Sequence, residues 1–131
     1  MDKYYSLTKT LILSGIQCEK KLWFDLNDKI KLKDKAIFRS GNRFNDVVRK
    51  HYGEGLDLSD EKEHQIVIER TKEAIQSDNI TVIYEAGFLF KNTFIRADVL
   101  IKKDNQWTML EAKASTSVKD INISDLAIQS F

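Results

Sequence analysis

Three ionisable residues stand out in the last third of the chain because they interrupt apolar and β-branched sequence. Asp98 lies inside the run Phe94–Ile101, and Glu111 and Lys113 stand two residues apart in the next run. A buried carboxylate without a partner costs several kcal/mol, so a compensating group is expected. Two carboxylates on neighbouring strands suit Mg²⁺, a hard cation that prefers oxygen ligands. Such an ion can orient a phosphodiester and activate a water, which Lys113 could position.

A purely structural interpretation of the same residues stays open. A Glu-x-Lys triplet is common, and Glu19 and Lys21 form a second one within a helical pattern. An ion pair of Lys113 with Asp98 or Glu111 at a sheet edge would explain the three residues without a metal ion. That interpretation predicts an interaction domain that does not respond to divalent cations.

The elements that must hold these residues are predicted to be strands. Three β-branched and aromatic runs follow one another, at residues 81–90, 93–101 and 106–114. The short polar segments between them, Lys91–Asn92 and residues 102–105, are typical of turns. The pattern therefore predicts an antiparallel three-stranded meander. A hairpin would bring the strand of Asp98 alongside the strand of Glu111 and Lys113.

Helical spacing of apolar residues surrounds this meander. Helices are predicted over residues 7–26, 37–51, 60–76 and 121–128. Ser6 or Thr8 can cap the first helix, Gly15 interrupts it, and Gly53 can end the second in a left-handed conformation. The third helix carries many charges and is expected to be exposed and amphipathic. The fold class is therefore predicted to be α/β.

Length and composition restrict the class of protein further. The chain has 131 residues, with 21 Lys and Arg against 20 Asp and Glu, which suits one folded domain with dispersed charge. One cysteine excludes a disulfide framework within the chain. The N-terminus lacks the layout of a signal peptide, and no apolar run approaches the ~18 residues of a membrane span. We expect a soluble, cytoplasmic protein without a membrane partner.

Several longer strings carry a resemblance to a nuclease family. Asp98 with Glu111-x-Lys113 resembles the motif of the PD-(D/E)XK nuclease superfamily. Strings in the same order are similar to a bacterial and archaeal family of uncharacterised proteins with a RecB-like or CRISPR-associated-exonuclease-like domain: residues 8–23, 85–86, 95–100 and 111–119. The resemblance implies a restriction-endonuclease-like α/β fold, with N-terminal helices, the meander and a flanking helix. It also implies Mg²⁺- or Mn²⁺-dependent hydrolysis of DNA.

The resemblance assigns roles to individual residues. Asp98 and Glu111 would be the metal-binding carboxylates, Lys113 the catalytic lysine, and the carbonyl of Ala112 a further ligand. Gln129 is similar to the glutamine that opens the helical Gln-x-x-x-Tyr motif of RecB-type nucleases. Members of the family are usually longer, so residues 1–131 are expected to form one nuclease-like domain that is incomplete at its C-terminus. Self-association through that region is a further expectation.

Supporting residues are predicted with alternatives. His51 is a candidate third ligand or a core histidine, and Glu85 could support the metal or pair with Arg96 across the hairpin. Arg96 and Lys119 could follow a DNA backbone or form a solvated rim. Cys18 resembles the first of four iron–sulfur cysteines in related exonucleases, but the other three are absent from the sequence. We therefore expect no iron–sulfur cluster from this chain alone, and a buried Cys18.

Two functions are compatible with the sequence. The first is a metal-dependent deoxyribonuclease that uses a metal-activated water. The alternative is a nuclease-like module that binds nucleic acid or a partner protein and does not cleave. Whether the chain is an enzyme is left open by the sequence.

Overall fold

A computed structural model describes residues 7–27, 45–114 and 117–130. The protein is a mixed α/β structure with five helices and a five-stranded open sheet in these residues. The helices are α1 (Lys9–Gln17), α2 (Glu19–Asn27), α3 (described over residues 45–52), α4 (His64–Gln76) and α5 (Asp120–Gln129). The strands are β1 (Leu7–Thr8), β2 (Leu56–Asp57), β3 (Val82–Phe90), β4 (Thr93–Lys103) and β5 (Gln106–Leu110). No helix in these three ranges is both long and apolar enough to cross a membrane.

The sheet contains both parallel and antiparallel pairs. Its order is β1-β4-β3-β2, and β5 pairs with β4 as well. β1 pairs in parallel with the start of β4, and β2 pairs in parallel with β3. β5 is antiparallel to β4, with Val99 opposite Leu110 and Lys103 opposite Gln106. The two parallel pairs were not predicted, because strands of two residues leave almost no pattern in a sequence.

The chain divides into two compact units. Of the described residues, the terminal unit comprises 7–27, 89–95 and 117–130, and the central unit comprises 45–88 and 96–114. In the terminal unit, α1 begins at the predicted cap, where the Thr8 hydroxyl accepts a hydrogen bond from the backbone N–H of Leu11 at 3.3 Å. The ammonium of Lys9 contacts the carboxylate of Asp125 on α5 at 2.9 Å, and this ion pair joins the two helices.

The first helical pattern is broken at a different residue from the one predicted. Gly15 lies within α1, and the helix ends at Cys18, whose backbone is extended. α2 begins at the next residue. Cys18 is exposed, so the expectation of a buried cysteine was wrong. The extended backbone between two short helices explains its exposure, because it takes Cys18 off the apolar face that an uninterrupted helix would have formed.

The core of the central unit lies between strands and α3. Val82, Tyr84 and Val99 form a buried cluster, against which four partly buried side chains pack: Val48, Tyr52, Ile101 and Leu110. The hydroxyl of Tyr84 donates a hydrogen bond to the carbonyl of Gly53 at 2.6 Å. Gly53 ends α3 with a φ of 84°, as predicted. Residues 37–44 of the predicted second helix, like Ser6, lie outside the described residues.

The third helical pattern also packs into the core. α4 begins at His64, not near Asp60, and its buried residues are Val67, Ile68, Thr71 and Ala74. The hydroxyl of Thr71 accepts a hydrogen bond from the backbone N–H of Gly87 in β3 at 2.9 Å. α4 is therefore amphipathic, as predicted, but it is anchored to the sheet rather than simply exposed.

The predicted turn at Lys91–Asn92 is confirmed, and the second predicted turn is shorter than residues 102–105, because Lys102 and Lys103 belong to β4. Lys91 and Asn92 have φ values of 44° and 61°, and Asp104 and Asn105 have values of 50° and 62°. Two successive left-handed residues match the twist of a tight hairpin, and Asn and Asp adopt this conformation most readily among residues with a side chain. β5 ends at Leu110, so residues 111–114 are not part of the strand that was predicted there.

Candidate functional site

Asp98 is held by a hydrogen bond to the segment that follows β5. It lies in β4 between the buried residues Ala97 and Val99. Its Oδ2 accepts a hydrogen bond from the backbone N–H of Ala112 at 2.8 Å. The β4–β5 pairing ends at Val99 and Leu110, so the carboxylate satisfies a backbone donor just beyond the ladder. This contact fixes Asp98 beside the central residue of the Glu-x-Lys triplet.

The two outer residues of the triplet form an ion pair. The Lys113 ammonium contacts Glu111 Oε1 at 2.5 Å, with the lysine side chain 38% exposed and the glutamate side chain 5% exposed. This ion pair is one of the two that the structural interpretation of the sequence predicts. It also places an ammonium group, whose three N–H bonds can serve several acceptors, directly beside a buried carboxylate.

Glu85 occupies an unusual backbone position next to Asp98. It lies inside β3 with a φ of 57°, a left-handed conformation that is uncommon for a residue with a side chain and concentrates at functional sites. Burial raises the pKa of the Glu85 carboxyl, and the charge of Asp98 raises this pKa further. Arg96 and Arg49 act in the opposite direction without cancelling the effect. Burial is the largest of these effects, and Glu85 and Asp98 are close enough for their charges to interact.

These residues share a pocket with one side of α3. It is partly open to solvent and is lined by Asn45, Val48, Arg49, Tyr84, Glu85, Asp98 and Ala112. The sequence predicted three of these: Glu85, Asp98 and Ala112. Residues 45, 48 and 49 recur at the spacing of one helical face, which is the signal that could have identified Asn45 and Arg49. Nothing in the apolar run around Tyr84 distinguishes it from an ordinary core residue.

Arg49 is fixed in this pocket by residues on two strands, β2 and β3. Its Nε donates to Asp57 Oδ2 at 2.7 Å, and its Nη2 donates to Asp57 Oδ1 at 3.3 Å. The guanidinium carbon stands 5.5 Å from the ring centre of Tyr84. The hydrogen bond to Asp57 raises the pKa of Arg49. Burial opposes ionisation of Asp57, but the hydrogen bonds from Arg49 and Ser59 lower the pKa of its carboxyl.

Two further predicted residues of the central unit take other positions. His51 on α3 is exposed, so it is not a core histidine, and its ring meets Tyr52 edge to face at 4.7 Å. It is not among the residues that line the pocket. Arg96 donates hydrogen bonds to the backbone carbonyls of Leu58 and Glu61. Arg96 therefore secures the loop before α4, while its charge also acts on Glu85.

The remaining predicted residues belong to the terminal unit. Lys119 is exposed and immediately precedes α5. Gln129 is buried near the end of the same helix.

The donor set of the central unit fits a hard divalent cation. Among the described residues, no group of three or more His, Cys, Asp and Glu side chains is placed to hold a metal ion. The candidate ligands are instead the carboxylates of Asp98 and Glu111 and the backbone carbonyl of Ala112. All three are oxygen donors, which Mg²⁺ and Mn²⁺ prefer, and Mg²⁺ usually retains several waters. Glu85 adds a further carboxylate close to Asp98.

Comparisons of the chain with protein-family models, with curated proteins and with solved structures find no match. The resemblance of the sequence to nucleases therefore stays a hypothesis. Evidence for a function comes from the residues of the central unit themselves.

Proposed function

We propose that this protein is a divalent-metal-dependent nuclease that hydrolyses phosphodiester bonds of DNA, with a restriction-endonuclease-like fold. The observation that carries the proposal is the 2.8 Å hydrogen bond between Asp98 and the backbone N–H of Ala112. It joins the acid of β4 to the centre of the Glu111-x-Lys113 triplet, so residues that the resemblance names stand together. A buried acid, an exposed amine and a further carboxylate, Glu85, stand around this contact.

Asp98, Glu111 and the carbonyl of Ala112 are the groups that would hold the ion. Bound there, Mg²⁺ or Mn²⁺ would polarise the phosphate, favour ionisation of the attacking water and supply positive charge for the leaving oxygen. The hydrogen bond from Ala112 orients Asp98 before any ligand arrives, and burial of Glu111 keeps water from competing for its oxygens. Such preorganised charge is the largest contribution in many active sites.

Lys113 would act on the substrate directly. Its ammonium, held at 2.5 Å from Glu111 and 38% exposed, can donate to a nonbridging phosphate oxygen or to the attacking water. Positive charge at that position stabilises the additional negative charge of the transition state. Glu111 keeps the ammonium beside the phosphate that is cleaved, so the ion pair has a catalytic as well as a structural consequence.

Cleavage of labelled DNA in Mg²⁺ or Mn²⁺, with EDTA as the metal-free reference, tests this proposal. Asp98→Asn keeps an oxygen that can accept from Ala112 but removes the charge, and we expect cleavage to fall by about 10²-fold or more. Lys113→Met is expected to reduce cleavage by about 10²-fold or more. Asp104→Asn is the matched control, because Asp104 is an exposed acid in the β4–β5 turn. Wild-type cleavage by Asp98→Asn would contradict the proposal.

A second candidate is a nuclease-like module that binds DNA without cleaving it. The Glu111–Lys113 ion pair favours it, because the ammonium occupies an oxygen of Glu111 that the nuclease would use to hold its metal ion. Binding of labelled DNA with no cleavage in Mg²⁺ or Mn²⁺ would select this candidate. Metal-dependent cleavage that is lost in Asp98→Asn would exclude it.

A further inference from the structure

Arg49 is a preorganised cation in the pocket that contains Asp98. Its side chain is 28% exposed, and Asp57 holds two of its nitrogens, Nε and Nη2. The ring of Tyr84 lies 5.5 Å from the guanidinium, and the Tyr84 hydroxyl is itself bound to the carbonyl of Gly53. Little side-chain entropy is left for a ligand to restrict, which lowers the cost of binding at this group.

The guanidinium has donors that this structure does not use. Arginine carries five N–H bonds in a fixed fork, and Asp57 accepts from Nε and Nη2. In the described part of the chain, no other acceptor contacts the guanidinium. A partly buried donor gains from a partner supplied by a ligand. Arg49 lines the pocket, and Asp57, which occupies two of its nitrogens, does not. The remaining N–H groups of Arg49 are therefore available to a ligand in the pocket.

The charges around the pocket indicate which ligand fits. Glu85 and Asp98 contribute negative charge, and the pKa of Glu85 responds to both Asp98 and Arg49. An anion alone would be repelled by the two carboxylates, and a cation alone would satisfy the carboxylates but leave the guanidinium without a ligand. A phosphodiester that arrives with a divalent cation satisfies both sides. The planar fork of arginine matches two oxygens of one phosphate, which an ammonium group cannot do.

We propose that Arg49 is a phosphate-binding residue: its guanidinium holds nonbridging oxygens of a DNA phosphate in the pocket that contains Asp98. This inference rests on the proposed function and deepens it, because it names a substrate contact outside the Asp98, Glu111 and Lys113 motif. Asp57 is then a positioning residue that orients the arginine. α3 contributes to substrate binding through Arg49, one helical turn after Asn45, which lines the same pocket.

The test is the salt dependence of DNA binding, measured by fluorescence anisotropy with a labelled single-stranded oligonucleotide and Mg²⁺ in a Lys113→Met background. Each phosphate contact contributes about 0.7 to the slope of log K against log salt concentration for single strands. We expect Arg49→Gln to weaken binding severalfold and to reduce the slope by about 0.7. Arg49→Lys should retain the slope and still bind more weakly than the parent, because it keeps the charge and loses the fork.

Two matched variants separate binding from structure and from net charge. Asp57→Asn removes the same ion pair but keeps the cation, and Lys72→Gln removes one exposed positive charge on α4. Lys72→Gln should keep both the slope and the affinity. Asp57→Asn should keep the slope, because the cation remains, but should weaken binding, because Arg49 loses the partner that orients it. An unchanged slope in Arg49→Gln, or an equal loss in Lys72→Gln, would overturn the assignment of Arg49. If Arg49→Gln does not fold, Arg49→Lys decides: parental affinity in that variant overturns the assignment.

The same measurements distinguish failure of the inference from failure of the proposed function. A slope change specific to Arg49 in a protein whose wild type never cleaves DNA would refute the nuclease activity and retain the phosphate contact. Metal-dependent cleavage with no Arg49-specific change would retain the nuclease and refute the contact. A wild-type chain that does not bind the oligonucleotide would overturn both.

Discussion

The buried carboxylates of the two units differ in the charged groups that lie next to them. In the terminal unit, Asp125 has a side chain that is 6% exposed and forms an ion pair with Lys9, itself 17% exposed, at 2.9 Å. In the central unit, Glu85 is half-buried, and burial and the charge of Asp98 both raise the pKa of its carboxyl. One carboxylate is buried with an opposite charge, and the other is buried beside a like charge.

This difference separates an acid that stabilises the fold from acids that are held for a ligand. A buried ion pair becomes costly when one partner is removed, because the other charge is left without compensation. A carboxylate whose pKa is raised already opposes folding at neutral pH, so its removal relieves the native state. Sites that concentrate like charges in this way are candidates for binding and catalysis.

The largest expected change in the free energy of unfolding follows from breaking the Lys9–Asp125 ion pair. Asp125→Asn leaves the mostly buried ammonium of Lys9 without its ionised partner, and we expect the free energy of unfolding to fall by about 3 kcal/mol. Urea denaturation at neutral pH measures this change. Asp25→Asn is the comparison variant, because the carboxylate of Asp25 pairs with Lys21 at the surface of the same unit. An Asp125→Asn protein as stable as wild type would show that the Lys9–Asp125 ion pair does not stabilise the fold.

The next largest expected change in stability is an increase, and it follows from removing the charge of Glu85. Because the folded-state pKa of Glu85 is raised, its ionised carboxylate opposes folding at neutral pH. We therefore expect Glu85→Gln to raise the midpoint of thermal unfolding in EDTA at pH 7. Glu54→Gln, at an exposed acid of the loop after α3, should leave it nearly unchanged. A lower midpoint for Glu85→Gln would show that the charge of Glu85 is compensated in the native state.

The pH dependence of stability tests whether ionisation of Glu85 causes this difference. Because the folded-state pKa of Glu85 is raised above its ordinary value of 4.5, the folded protein binds the proton more tightly than the unfolded chain. Wild type and Glu85→Gln should be equally stable below that value, where both states are protonated. The advantage of the variant should develop as the pH rises through the folded-state pKa and then persist. An advantage independent of pH would point to backbone or packing effects.

The smallest expected effect is on the Arg49–Asp57 pair. It pairs opposite charges like Lys9 and Asp125, but the side chain of Asp57 is 39% exposed, so solvent screening reduces its contribution to about 1 kcal/mol or less. The pKa of Asp57 is lowered from 3.8, so Asp57→Asn should be less stable than wild type at neutral pH. Urea denaturation in a pH series should show the difference vanish as the pH falls through the folded-state pKa. A constant difference would exclude ionisation as its cause.

Much of the local structure could be predicted from the sequence because it depends on local chemistry. The Thr8 cap, the left-handed Gly53 and the Lys91–Asn92 turn each follow from the preference of one or two residues. β3 and β4 follow from long β-branched runs. The break at Cys18 could not be predicted, because Gly15 is the weaker helix former and the actual break is set by how α1 and α2 pack on each other.

The candidate site was predictable in part for the same reason. Asp98, Glu111 and Lys113 are charges in apolar sequence, which is a visible signal. The end of β5 at Leu110 was not visible, and it is this end that turns Ala112 toward the Asp98 carboxylate. Arg49 was missed because its partner Asp57 and the pocket it lines come together only through the tertiary fold.

Thermal unfolding with and without millimolar Mg²⁺ or Mn²⁺, for wild type and Asp98→Asn, tests the central claim that the acids of the central unit hold a divalent cation. A cation that binds only the native state stabilises it by about 2.7 kcal/mol at a hundred times its Kd. We predict that the metal raises the midpoint of wild type and of the Asp104→Asn control, and leaves that of Asp98→Asn unchanged. No rise in wild type, or an equal rise in Asp98→Asn, would contradict the claim.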